Sequence, residues 1–125
     1  MNRSIALVAG ALAAAALLAP ACVLAQDKAT VAPKAVKVLL DNDKARVLEV
    51  SLAPGESTGM HSHGDNIVYY LTPAEGTQTM GDGTAKPMHH DAGDILWSDP
   101  VTHDTKNDGK SPVRVLVVEL KGTTP

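Results

Sequence analysis

The feature that most constrains the fold is a series of short aliphatic runs between turn residues, which extends from Val36 to Leu120. From Val31 onward, no stretch has the apolar spacing of a long amphipathic helix. Clusters of Gly, Pro, Asn and Asp instead separate the runs at intervals of about 8–12 residues. This pattern predicts an all-β fold, a single small antiparallel β-barrel or jelly roll.

Seven segments carry the strand prediction. They are Val36–Leu40, Arg46–Leu52, Ile67–Leu71, Thr77–Met80, Ala85–Met88, Ile95–Trp97 and Val113–Leu120. The residues Gly81-Asp82-Gly83 lie between two of these runs and predict a hairpin with a tight turn. Val113–Leu120 is apolar on both sides, so we expect one face inside the barrel and the other covered by a second copy in a homodimer.

The first 25 residues have the layout of a secretory signal peptide. Arg3 gives a positive start, an apolar run covers residues 5–18, and small residues precede a cleavage site after Ala25. An uncleaved membrane anchor is the alternative, but the run is shorter than the roughly 20 apolar residues that a spanning helix needs. We therefore expect a signal peptide at 1–25, a flexible segment at 26–35 and a barrel at 36–121. The mature protein would be periplasmic or secreted, without membrane association after cleavage.

Cysteine usage and charge narrow the chemistry. Cys22 is the only cysteine and lies in the predicted signal peptide, where its surroundings fit a lipoprotein signal poorly. Any metal in the mature chain must therefore use His, Asp or Glu. The net charge is −3 and aromatic residues make up 2% of the chain, with no cluster of Lys and Arg, so nucleic acid is not an expected partner.

Histidines are the main functional signal. His61 and His63 are two residues apart, so on a strand both rings would project from one face and could hold one metal ion. His103 lies further along the chain as a third candidate. The alternative is a pair of surface histidines on an edge strand. His89 and His90 are adjacent and face opposite ways on a strand, so they cannot chelate as a pair, although one could line a pocket.

Asp65 and the aromatic residues have less specific roles. Asp65 follows Gly64, a setting typical of a turn, and the alternative is a fourth ligand or an acceptor for an imidazole N–H. We expect Tyr69, Tyr70 and Trp97 to serve mainly in core packing, with one tyrosine hydroxyl reaching the cavity.

Two segments resemble the motifs of the cupin superfamily. In the first, the run Gly55–His63 contains a glycine, five further residues and His-x-His, as the first cupin motif does. In the second, Gly93, Pro100, His103 and Asn107 follow the order of the second cupin motif. The resemblance extends over nearly all of the predicted barrel and implies a small single-domain bacterial cupin.

The sequence departs from the cupin motifs at two places. The glutamate of the first motif would fall on Ile67 or Val68, and the second motif is one residue short and lacks the glycine before its histidine. The resemblance therefore implies a site of three histidines, His61, His63 and His103, without the usual carboxylate.

The resemblance also implies a function. A three-histidine site would bind one divalent ion, Fe, Zn, Cu, Ni or Mn, and such cupin sites resemble those of thiol and diketone dioxygenases. We therefore expect a metal-binding cupin that acts on a small molecule as a dioxygenase-type enzyme. One alternative is a non-catalytic metal- or small-ligand-binding module of the cell envelope, and another is a metal-free barrel whose histidines only line a pocket.

Overall fold

The computed structural model describes residues 35–122, which form nine β-strands and no helix. The strands are β1 Val36–Asp41, β2 Ala45–Leu52, β3 His61–His63, β4 Asn66–Tyr70, β5 Ala74–Met80, β6 Ala85–His90, β7 Ile95–Ser98, β8 Val101–Asn107 and β9 Val113–Leu120. The predicted signal peptide and nearly all of the predicted flexible segment lie outside the described residues. Within residues 35–122 no helix is long and apolar enough to cross a membrane.

The strands form two antiparallel sheets that face each other as a jelly roll. One sheet has five strands in the order β1-β2-β9-β4-β7, and the other has four in the order β3-β8-β5-β6. The all-β prediction is confirmed, and of the two predicted forms the structure has the jelly roll, because no ladder within residues 35–122 joins the two sheets into a closed barrel. β6 is an edge strand that contains Pro87, which has no N–H to offer to a further strand.

The core lies between the sheets and is built mainly from β2 and β9. Leu48, Val50 and Leu52 are 0–3% exposed, as the alternation of their segment predicts. Full burial of one such aliphatic side chain contributes about 1.5–3 kcal/mol. The other buried hydrophobic residues are Tyr70, Ala74, Met88, Val113, Val115 and Val117.

Strand β8 was not predicted, and its composition explains why. Its sequence is Val-Thr-His-Asp-Thr-Lys-Asn, which lacks the apolar alternation of a half-buried strand. Its position is set by pairing with β3 on one side and β5 on the other. At its end, Asn107 is 1% exposed and its side-chain nitrogen donates hydrogen bonds to the carbonyl oxygens of Leu52 and Ser111.

Two of the three aromatic residues do not pack in the core. Tyr70 is 4% exposed, as expected, but Tyr69 is 39% and Trp97 is 57% exposed. The expectation of core packing is therefore wrong for Tyr69 and Trp97. Both lie on the outer face of the five-stranded sheet, because the period of two that turns Tyr70 inward turns its neighbour outward.

Candidate metal centre

Three histidines project from two paired strands into the space between the sheets. His61 and His63 alternate with Ser62 on β3, and the pairing with β8 places His103 directly opposite His61. Residues opposite each other on paired strands have Cβ atoms about 4.5–5.5 Å apart. His61 is 0% exposed and His63 is 6% exposed. The fold therefore brings together the three histidines that the sequence singles out.

The three rings lie close enough for one ion to contact all of them. The ring centroid of His61 is 4.8 Å from those of His63 and His103, and the latter two are 5.5 Å apart. The Nε2 atoms of His61 and His63 are separated by 3.0 Å. One nitrogen from each ring lies within 4.8 Å of the others, and no other group within residues 35–122 meets this spacing.

The hydrogen bonds of two rings fix which nitrogen faces the centre. Nδ1 of His61 is 2.7 Å from the carbonyl oxygen of Gly59, and Nδ1 of His63 is 2.8 Å from Oε1 of Glu119. Both oxygens accept, so each Nδ1 carries a proton and donates it. In a neutral imidazole, Nε2 then holds a lone pair. With both rings neutral, both Nε2 lone pairs point toward the centre, where a single cation would bind both nitrogens.

Glu119 is the residue of this site that the sequence analysis missed. Its side chain is 13% exposed, and its Oε2 accepts hydrogen bonds from Nε and Nη2 of Arg46 at 2.7 and 2.6 Å. Burial raises the pKa of the Glu119 carboxyl, but the hydrogen bonds from His63 and Arg46 outweigh burial and hold this pKa below its ordinary value. The ionised carboxylate therefore stays in place as the acceptor for the His63 ring.

The alternation of β9 contained a signal for Glu119. Val113, Val115 and Val117 face the core, and a period of two places Glu119 on the same inward face. A carboxylate on an inward face needs a buried partner, because an unpaired buried charge is costly. The register of β2 with β9 supplies it by setting Arg46 opposite Glu119.

The position of the expected glutamate ligand is aliphatic. Val68 lines the space beside the histidines, and Ile67 faces the other side of the sheet, where it pairs with Trp97. Glu119 does not replace that ligand, since its Oε1 contacts Nδ1 of His63, the nitrogen that faces away from the centre. The site therefore consists of three histidines with one carboxylate behind them.

A cavity of about 250 Å³ lies between the sheets next to the histidines. His63 and His103 form part of its wall. Its aliphatic lining comes from Val50, Leu52, Val68, Met88, Leu96, Val101, Val113, Val115 and Val117. Its other polar side chains are Thr58, Asn66, Tyr70, Gln78, His90, Ser98 and Thr105. No Lys, Arg, Asp or Glu is among the described lining residues.

The remaining polar residues from the sequence analysis lie outside the cluster. The backbone carbonyl of Asp65 accepts a hydrogen bond from the backbone N–H of Leu120 at 3.0 Å, and its side chain is not part of the histidine group. The side chain of His89 is 71% exposed and lies near Glu75. His90 lines the cavity, as the sequence analysis allowed for one of this pair.

His90 and Tyr70 form a second polar region of the cavity wall. Their rings stack with centroids 4.3 Å apart, and Nδ1 of His90 is 3.6 Å from Oδ2 of Asp94. Burial, with a smaller contribution from the charge of Asp94, raises the pKa of the Tyr70 hydroxyl to about 12. Tyr70 therefore presents a protonated hydroxyl, which lies 3.5 Å from the sulfur of Met88.

Comparison with protein families classifies the chain. The family model described as the cupin domain matches residues 48–119, a segment that contains all three histidines and Glu119. The chain belongs to the cupin family. No protein of curated function matches this cupin.

Solved structures similar to this cupin share its fold. A cupin domain from Bordetella pertussis is 24% identical with a TM-score of 0.65, and the match covers 70% of this chain and 92% of that one. A predicted oxalate decarboxylase from Thermotoga maritima is 27% identical with a TM-score of 0.52, covering 68% and 77%. A polyketide cyclase from Streptomyces resistomycificus is 20% identical with a TM-score of 0.56, covering 72% and 66%.

Proposed function

We propose that this cupin binds one divalent metal ion through a ring nitrogen of each of His61, His63 and His103. We further propose that it is a small-molecule enzyme of the dioxygenase type. The observation that carries the proposal is the convergence of the three rings, two of which turn Nε2 inward because Gly59 and Glu119 hold their Nδ1 protons.

The spacing of the nitrogens fits a metal ion. For bonds of about 2.1 Å, a right angle places two nitrogens about 3.0 Å apart and a tetrahedral angle about 3.4 Å. The Nε2 atoms of His61 and His63 are 3.0 Å apart. Both angles occur among the candidate ions, so this distance is compatible with one shared ion and does not select among Fe, Zn, Cu, Ni and Mn.

The residues around the histidines would bind and orient a ligand. A divalent ion at this site supplies positive charge and open coordination positions, and iron adds redox chemistry with O₂. The aliphatic wall, which includes Val68 and Leu96, would contact the apolar part of a ligand. Gln78 and Tyr70 place an amide and a protonated hydroxyl in the same wall, where they can hydrogen-bond a polar group of the ligand.

The lining favours a particular class of ligand. A suitable molecule has one oxygen- or sulfur-bearing head that carries at most a single negative charge, and a hydrocarbon body that fills the aliphatic part of the cavity. Oxalate, the molecule for which the predicted decarboxylase from Thermotoga maritima is named, has no such body. Its decarboxylation also leaves a carbanion that must gain a proton, and no Asp, Glu or Lys lines this cavity within the described residues.

A dioxygenase reaction needs no further reductant. Both atoms of O₂ enter the organic substrate, and the substrate carbon or sulfur supplies the electrons. The ligand and O₂ are then the only co-reactants.

A non-catalytic metal- or small-ligand-binding module of the cell envelope is the second candidate. The lack of carboxylate and lysine side chains in the described cavity lining favours it, because few groups are present for acid–base work. Export to the periplasm or the medium is part of both candidates and rests on the sequence of residues 1–25.

The deciding experiment measures metal content by mass spectrometry on protein purified without a histidine tag. The double variant His61→Ala/His63→Ala should lose a near-stoichiometric metal, whereas His89→Ala, a change at an exposed histidine, should retain it. Iron, followed by O₂ uptake with thiols or diketones, supports the enzyme. Bound metal without turnover supports the binding module. Absence of metal from the wild type before and after reconstitution would refute the enzyme and the metal-binding module, and would leave only the small-ligand form of the second candidate.

A further inference from the structure

Polar groups line the cavity at two ends that are separated along strand β4. At the first end, Asn66 lies opposite Glu119, whose carboxylate accepts the hydrogen bond from His63. At the second end, Tyr70 follows Asn66 by four residues and lines the same cavity. With a rise of about 3.4 Å per residue, these two positions on β4 are about 14 Å apart. We call the second end, formed by Tyr70 and His90, the distal end.

Aliphatic side chains separate the two ends of the cavity. Val68 lies midway along β4 and pairs with Val117 of β9, and both residues line the cavity. The opposite sheet has the same order, because His103 pairs with the last residue of β5 and His90 pairs with its first. A ligand that fills the cavity therefore meets a polar group at each end and hydrocarbon between them.

The distal end offers one donor and one acceptor to a ligand. Tyr70 is buried, and within residues 35–122 its protonated hydroxyl donates only to the sulfur of Met88, a weak acceptor 3.5 Å away. Nδ1 of His90 is 3.6 Å from Oδ2 of Asp94, whose negative charge favours the proton on this nearer nitrogen. Nε2 of the neutral His90 ring is then an acceptor, and it makes no hydrogen bond in the described part of the chain.

The charge at the distal end disfavours an anion. The charge of Asp94 contributes, after burial, to the raised pKa of the Tyr70 hydroxyl, so its field reaches this part of the wall. No Lys or Arg is among the described lining residues, so a second carboxylate or a phosphate would find no cation there. A hydroxyl group matches both partners, because its O–H can donate to His90 while its oxygen accepts from Tyr70.

We propose that the distal end binds a hydroxyl group of the ligand, which donates to Nε2 of His90 and accepts from the hydroxyl of Tyr70. This inference rests on the proposed function, in which the metal ion binds the opposite end of the same molecule. The ligand is then a hydrocarbon with a metal-binding head and an alcohol or phenol group far from that head. Tyr70 and His90 determine specificity for this hydroxyl and do not touch the reacting atoms at the metal.

The test compares probes that share a carboxylate head and differ only at the far end. Octanoate, decanoate and dodecanoate end in a methyl group, their ω-hydroxy derivatives end in a hydroxyl, and the dicarboxylates of the same lengths end in a second anion. Each is titrated by calorimetry into protein reconstituted with Zn²⁺. At the length that fits, the hydroxyl should raise the affinity about 10-fold over the methyl-ended acid. The dicarboxylate should bind about 10-fold more weakly than the hydroxy acid, or worse.

Variants that keep the rings but remove their polar atoms assign the effect to the distal end. His90→Phe and Tyr70→Phe should each reduce the gain from the hydroxyl to less than about 3-fold, and leave the affinity for the methyl-ended acids unchanged. The matched control is His89→Phe, the same change at the exposed neighbour, which should retain the full gain. Circular dichroism checks that each variant is folded.

The outcomes that overturn the proposal are separate from those that refute the proposed function. Equal affinities of the hydroxy and methyl-ended acids at all three lengths overturn the distal hydroxyl site, as do tighter binding of the dicarboxylates, a gain that survives in both variants, or failure of all the probes to bind. Removal of the metal tests the proposed function. If the metal-free protein binds the probes with unchanged affinity, the head does not bind the metal, whereas the gain from the hydroxyl still reports on the distal end.

Discussion

Replacing Glu119 with Gln is expected to weaken metal binding about 10- to 100-fold while the protein stays folded. The carboxylate accepts the Nδ1 proton of His63 at 2.8 Å and so keeps the Nε2 lone pair directed at the centre. Glutamine keeps the volume but not the charge. Its amide can also present N–H to His63, which would favour the opposite tautomer and place the proton on Nε2.

The magnitude follows from the hydrogen bonds that Glu119 makes. It accepts from Arg46 at 2.7 and 2.6 Å as well as from His63, and its side chain is 13% exposed. Hydrogen bonds to charged groups contribute about 1.5–3 kcal/mol, against about 1 kcal/mol for neutral pairs. Loss of the charge should therefore cost about 1–3 kcal/mol, and a 10- to 100-fold weaker metal affinity corresponds to about 1.4–2.7 kcal/mol.

The assay is a competition titration of Zn²⁺ and Co²⁺ against a chromophoric chelator, with circular dichroism to check the fold. Glu75→Gln is the matched control, because Glu75 is also a carboxylate beside a histidine, His89, but on an exposed face away from the cluster. Its metal affinity should equal that of the wild type. If Glu119→Gln binds both ions with wild-type affinity and an unchanged Co²⁺ spectrum, the reasoning about the His63 tautomer is refuted.

Three further predictions concern stability and titration. In a Tyr69→Phe background Tyr70 is the only tyrosine, and its ultraviolet absorbance should titrate near pH 12. Because the unfolded chain releases this proton near pH 10, wild-type stability in urea should fall by about 2–3 kcal/mol between pH 10 and 12, and Tyr70→Phe should abolish that fall. Asn107→Ala leaves two backbone carbonyls without their buried donor and should cost about 2–4 kcal/mol in urea unfolding. Gly76→Ala would place a Cβ 2.1 Å from the carbonyl oxygen of Lys106. The free energy of unfolding should therefore fall by about 1–3 kcal/mol, and the melting temperature should drop with it.

Local alternation predicted most of the fold. Leu48, Val50 and Leu52 are buried on one face, and Val113–Leu120 has the predicted bounds. Both were predictable because successive side chains of a strand point to opposite faces, so the local order of residues shows which face is buried. β8 escaped prediction because its inward residues include His103 and Asn107, which are polar. Asn107 is buried and His103 is half-buried because of contacts with residues on other strands, which the sequence of β8 does not show.

The candidate site was likewise predicted only where its residues share a local pattern or a family motif. His61 and His63 were predicted as neighbours because they share one strand face, and the resemblance to cupin motifs added His103. Glu119 lies 56 residues after His63, and their contact depends on the register of distant strands rather than on any local pattern. The exposed positions of Tyr69 and Trp97 were mispredicted because composition alone does not distinguish an aromatic residue on the outer face of a sheet from one in the core.

The charges around the histidines indicate what the site is suited to bind. Three neutral imidazoles leave a divalent ion with its full charge. The negative charge of Glu119 is balanced by the positive charge of Arg46. Arg46 thus keeps Glu119 ionised and aimed at His63 without making the site more negative. Because the described cavity lining adds no Lys, Arg, Asp or Glu, the ion would be the dominant charge that a ligand meets. A ligand with an anionic head at the ion and a hydrocarbon body against the aliphatic wall therefore matches both the charge of the ion and the apolar lining of the cavity.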